Sequence, residues 1–145
     1  MRKLVFAISA LALGASASFA EPIADRVALM KANGAAMGAL SAYVKGEKPY
    51  DAADVLAQLT KLSADAQKNA DPALWPAGSN TGESTASPKI WEDAAGFQAA
   101  VDKFKADTAS AVAAAPADVD ALKVQMGVVG SNCASCHEAF RVKKG

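Results

Sequence analysis

The sequence predicts an all-α protein, an antiparallel four-helix bundle. Two observations carry this. Four stretches place apolar or small residues at helical period, and three breaks marked by Gly or Pro separate them. Two of the breaks are short and one is long, which is a connectivity that four-helix bundles use.

The first helix is expected over residues 23–44. Ile23, Val27, Met30, Gly34, Met37 and Val44 fall on a heptad-like line, with Leu40 beside it. Gly34 and Gly38 each cost about 1 kcal/mol of helix propensity against Ala. Their missing side chains leave room for something bulky on that face. The helix stops in Lys45-Gly46-Glu47-Lys48-Pro49. The second helix starts with Asp51 as N-cap and carries Val55, Leu56, Leu59, Leu62 and Ala66 as its stripe, fading near Lys68. Residues 69–87 hold Pro72, Pro76, Gly78 and Gly82, and form a long irregular crossover. Segments of that length carry function or lie over a groove. Leu74 and Trp75 are its apolar members and are expected to dock on the bundle.

Ser87 as N-cap and Pro88 in the first turn open the third helix. Its face reads Ile90, Trp91, Ala94, Phe97, Val101, Phe104, Thr108 and Val112, and it ends before Pro116. The fourth helix starts near Asp118 or Asp120 and carries Leu122, Met126, Val129, Cys133, His137 and Phe140. Arg141, Lys143 and Lys144 suit its C-terminal dipole.

Residues 1–20 read as a signal peptide. Arg2 and Lys3 precede an apolar run over residues 4–13, and Ser18-Phe19-Ala20 offers a cleavage site. The run is shorter than the ~20 residues a membrane span needs, and no later stretch is apolar enough. Residues 21–145 are therefore expected as one exported domain, periplasmic in a bacterium, without a membrane span. Loss of Arg2 and Lys3 leaves 13 basic against 15 acidic side chains. No basic stripe points to nucleic acid. The domain is rich in Ala and poor in aromatics, so a large buried prosthetic group would supply apolar surface that its side chains do not.

The chemistry lies in Cys133-Ala134-Ser135-Cys136-His137, a C-x-x-C-H motif. This is the attachment signature of c-type haem. On a helix the two cysteines stand one turn apart, so both thiols face one way and can form thioethers to one haem edge. His137 follows four residues after Cys133 and can reach the iron from the same side. A thioredoxin-like C-x-x-C wants a βαβ setting, and a zinc site wants four ligands. The chain has one His and two Cys. The fourth helix is thus the haem-attachment helix, with Cys133 and Cys136 binding haem c and His137 its iron.

A single histidine excludes bis-His ligation within the chain. Methionine is another axial ligand. Met126 lies eleven residues before His137 on the same helical face, roughly 16 Å along the axis, and cannot come from the opposite side. Met30 and Met37 lie on the first helix. Met37 reads as core packing, and the spacing alone leaves Met30 open between ligand and core.

The C-terminal haem motif, Cys-Ala-Ser-Cys-His-Glu-Ala-Phe-Arg, resembles that of class II c-type cytochromes, the cytochrome c prime family. Lys45-Gly46-Glu47-Lys48-Pro49-Tyr50-Asp51 and Pro88-Lys89-Ile90-Trp91 are similar too, and the likeness covers essentially all of residues 21–145. By the family's register, Met30 holds the axial-facing position. The resemblance implies one of two types. In low-spin members a Met here binds iron, and the protein carries single electrons to transient redox partners. In high-spin members the sixth site stays open to nitric oxide or carbon monoxide. The stretch from Leu29 to Gly34 looks more like the low-spin type. Arg26, one turn before Met30, resembles an arginine that high-spin members place near a haem propionate; the residue alone reads equally as a solvated helix charge. Arg141 resembles the family's proximal-side arginine. The resemblance also implies a homodimer through the first two helices. No second histidine or acid–base cluster suggests an enzyme. The expectation is a periplasmic one-electron carrier with His137 and Met30 on the iron; the alternative is a gas-binding haem protein.

Overall fold

The computed structural model describes residues 19–143. The expected signal peptide lies outside the described residues apart from Phe19 and Ala20. Five α-helices and one 3-10 turn are described: α1 (Ala20–Val44), α2 (Ala52–Asn69), the turn Pro72–Leu74, α3 (Lys89–Glu92), α4 (Ala94–Ala114) and α5 (Val119–Phe140). The four long helices form the expected bundle. α2 packs on α1 and α4, and α5 packs on α4 and less extensively on α1. No described helix is long and apolar enough to cross a membrane.

Caps set the helix starts. The Asp51 side chain accepts from the Ala53 and Asp54 amides, and Asp118 accepts from Ala121. These bonds satisfy N–H groups that the helix leaves without partners. Asp118, rather than Asp120, is therefore the cap of α5. α1 begins at Ala20, about one turn before the expected Ile23, with Glu21 in its first turn.

The expected third helix is two helices. Asp93 leaves helical geometry (φ −124°, ψ 60°), and its carboxylate accepts from the Gly96 amide at 3.0 Å. Asp competes well for such a cap and poorly for a helix interior. The Ser87 hydroxyl accepts from the Lys89 amide at 3.2 Å at the start of α3.

The core has two parts. Leu40, Leu59, Leu62, Leu122 and Val129 belong to the larger one, and Ile90, Phe97, Val101 and Phe140 make a smaller one near the end of α5. The buried line of α1 is Arg26, Leu29, Asn33, Ala36, Leu40 and Tyr43, one position away from the expected line. The expected line splits. Ile23, Val27 and Met30 border a cavity, whereas Met37 and Val44 pack half-buried against the larger core. Gly34 and Gly38 are exposed, a Cβ added at either would meet nothing within 4 Å, and neither lines that cavity. Leu56 also departs from its expected stripe and stays 38% exposed.

Candidate haem site

The crossover reaches the site through backbone pairing. Residues 85–87 run antiparallel to the end of α5. The Ser87 amide donates to the Phe140 carbonyl and the Val142 amide to the Thr85 carbonyl, both at 2.9 Å. This pairing draws Arg141 out of the helix into extended backbone. Trp75 docks as expected. Its indole N–H donates to the Asn69 carbonyl, and its ring meets Phe97 edge-on with centroids 4.8 Å apart. Phe97 meets Phe140 in the same way at 5.4 Å. These rings continue the smaller core up to the attachment motif.

Between α1, α5 and the crossover lies a cavity of about 400 Å³. From α1 it is lined by Ile23, Arg26, Val27 and Met30, and from α5 by Cys136, His137 and Phe140, followed by Arg141. Trp75, Ile90 and Phe97 add apolar wall, and Asn69 and Ser84 add polar groups. Five of the six site residues expected from sequence thus converge on one cavity. The sixth, Cys133, is half-buried one turn before Cys136 and does not line it. Met30 is the one methionine on the lining, since Met37 and Met126 pack against the larger core.

Burial favours the neutral forms of the titratable groups in the motif. Burial, and then the charge of Arg141, hold the His137 imidazole below its ordinary value, so it is neutral at pH 7 with a lone pair to give. Burial pushes both the Cys133 and Cys136 thiols up, so neither is a reactive thiolate. Both cysteines are free of a disulfide.

Arg26 is not the solvated charge its helix position allowed. It is 4% exposed. One terminal nitrogen donates to the Leu74 carbonyl and, at 2.8 Å, to the Ser79 hydroxyl. The other donates to the Ser79 carbonyl and, at 3.2 Å, to the Ser84 hydroxyl. Its guanidinium carbon sits 4.9 Å from the Trp75 ring centroid. Burial lowers its pKa. All four acceptors are neutral, so no carboxylate among them offsets its charge. Ser79, Ser84 and Asn69 were missed from sequence, where nothing tied a serine in the crossover to an arginine more than fifty positions earlier.

This lining fits a haem. Apolar and aromatic side chains dominate, with a few convergent polar groups. A guanidinium whose hydrogen-bond acceptors are all neutral borders the cavity, and the Asn69 side-chain oxygen is buried without a partner among the described residues. Buried polar atoms ordinarily have partners, so the lining accommodates a large apolar group bearing polar substituents.

Comparison with known proteins agrees. The Cytochrome C' family profile matches residues 21–141. A cytochrome c-556 of Agrobacterium fabrum (strain C58) is 41% identical over 122 residues, covering 84% of this chain and 82% of that protein. A solved cytochrome c' from Rhodopseudomonas palustris is 41% identical with a TM-score of 0.78, covering 86% of this chain and 98% of that one. The nitric oxide complex of a point mutant of cytochrome c prime from Alcaligenes xylosoxidans is 34% identical with a TM-score of 0.76, covering 88% and 98%. The match spans the bundle, the crossover and the attachment helix together, and the chain therefore belongs to the cytochrome c' family of haem proteins, with one covalent haem c and its iron.

Proposed function

We propose that this protein is a periplasmic one-electron carrier whose haem iron is held by His137 and Met30. The observation that carries the reading is the pairing of these residues across one cavity, His137 from α5 and Met30 from α1. Cys133 and Cys136, one turn apart on α5, would hold the haem through thioethers. When bound, haem c supplies the one-electron iron couple. The residues do the rest. His137 and Met30 would supply an imidazole nitrogen and a thioether sulfur to the iron, a ligand choice that raises the potential. The buried Arg26 and Arg141 at the end of α5 place positive charge on the lining, which would favour the carboxylate substituents of a haem. The relatives named cytochrome c-556, the low-spin type of this family, support the methionine ligand. Export through the N-terminal leader, and transient docking of redox proteins at the attachment edge, complete the reading.

The second reading is a protein that binds nitric oxide or carbon monoxide at an open sixth site, with Met30 as a steric gate. The nitric oxide complex of the Alcaligenes relative favours it. A relative with ligand-controlled dimer dissociation further suggests that this chain pairs with itself and that a ligand alters the pairing. Met30→Ala separates the readings. The carrier reading expects the ferrous low-spin bands to give way to a high-spin spectrum that responds to carbon monoxide. An unchanged spectrum would reject Met30 as ligand.

A further inference from the structure

The α1 turn that carries Met30 lies between two concave sites. Arg26, Val27, Met30 and Lys31 border the haem cavity. On the other side, Asp25, Ala28, Leu29 and Ala32 border a second groove of about 410 Å³, closed by Leu74 and the end of α2. This turn buries Leu29 against its neighbours and adds side-chain bonds to that packing. Its one dense set of bonds to another element is that of Arg26, which ties it to three places in the crossover: Leu74, Ser79 and Ser84. Trp75 lies beneath the guanidinium and is itself fixed by Asn69 at the end of α2. Arg26 and Met30 are separated by four residues, so they share a helix face.

We propose that Arg26 acts as a clasp, binding the crossover to α1 so that Met30 is held over the iron, and that release of the clasp opens the sixth coordination site. Arg26 is then a positioning residue for Met30, and the crossover controls access by small diatomic ligands. The assignment rests on Met30 being the axial ligand. It differs from a purely electrostatic role toward a haem propionate, because its four acceptors are neutral groups of this chain.

The test uses holoprotein of wild type, Ser79→Ala/Ser84→Ala, Arg26→Lys and Arg26→Leu. The serine pair keeps the charge of Arg26 and removes two hydroxyl acceptors. Arg26→Lys keeps the charge and cannot make the forked bonds. Each lost bond to a charged donor weakens the clasp by about tenfold. Carbon monoxide binding to the ferrous protein should therefore speed up by about tenfold or more in the serine pair and in Arg26→Lys. Amide hydrogen exchange of residues 27–33 should rise together with that of residues 74–84. Wild-type rates in both of these variants, with a change only in Arg26→Leu, would overturn the clasp in favour of charge alone. If wild-type protein already binds carbon monoxide at once, the Met30 ligand fails while the joint rise in exchange still decides the clasp. Exchange that rises in the crossover but not in α1 would overturn it.

Discussion

Single residues carry most of the chemistry, and some of them were readable directly. The attachment motif needs only its own spacing to be recognised, since helical geometry turns three positions into one turn. Asp51 was legible as a cap for a similar reason, because the cap acts within three residues, whereas the start of α5 was legible only to Asp118 or Asp120. Arg26 was not legible in this way, because its partners come from a crossover whose path no local pattern fixes. Asp54 shows the same limit at the far end of the bundle. Its carboxylate accepts from Tyr43 at 2.6 Å, Gln58 at 2.8 Å and Lys48 at 3.0 Å. These bonds hold its pKa well below the usual carboxylate range. A folded-state pKa below the unfolded one gives stability that is present above the unfolded value, about 3.9, and is lost as pH falls towards the folded value. Asp54→Asn should therefore lower stability at neutral pH and flatten its loss below about pH 4. Denaturant titrations across pH would show this, and parallel curves for the two proteins would contradict it.

The elements were legible where period and punctuation agree. α2 and α5 came out at their expected places, with aspartate caps, although Leu56 leaves the α2 stripe. The face of α1 came out displaced because a heptad line drifts around a straight helix by about 20° per repeat. Over a helix of 25 residues, that drift carries the line from the cavity at one end to the core at the other. The break at Asp93 went unseen because it has neither Pro nor Gly, and the apolar pattern continues across it. The end of α4 gives a separate prediction. Ala115 has φ 38°, in the left-handed region, just before Pro116. A side chain there costs about 1 kcal/mol, and glycine is the usual occupant. Ala115→Gly should raise stability slightly, by up to about 0.5 kcal/mol after allowing for the greater freedom of glycine when unfolded. A lower melting temperature would contradict it.

At the scale of the whole molecule, the haem cavity divides the fold into unequal halves. The larger core around Leu40, Leu59, Leu62, Leu122 and Val129 packs side chain against side chain. The smaller core around Ile90, Phe97 and Phe140 ends at the cavity, with Trp75 and Cys136 packed on its edge. That asymmetry answers the composition, since a chain rich in Ala completes one end of its core with a prosthetic group. Any group that binds only the folded state stabilises it. Cys133→Ala/Cys136→Ala protein, prepared without haem, should keep exchange protection at Leu59 and Leu62 and lose it at Phe97 and Phe140. Equal protection at both ends would show that the bundle does not need the haem.

All three scales meet in the proposed ligand pair: one residue on α1, one on α5, and a bundle that brings both to the lining of one cavity. Absorption spectra of ferric and ferrous holoprotein, recorded with and without carbon monoxide, test that pair most directly. Ligation by His137 and Met30 predicts sharp low-spin ferrous bands, a weak long-wavelength sulfur-to-iron band in the ferric form, and little response to carbon monoxide. A broad high-spin spectrum that shifts promptly with carbon monoxide would contradict it and make the protein a gas binder.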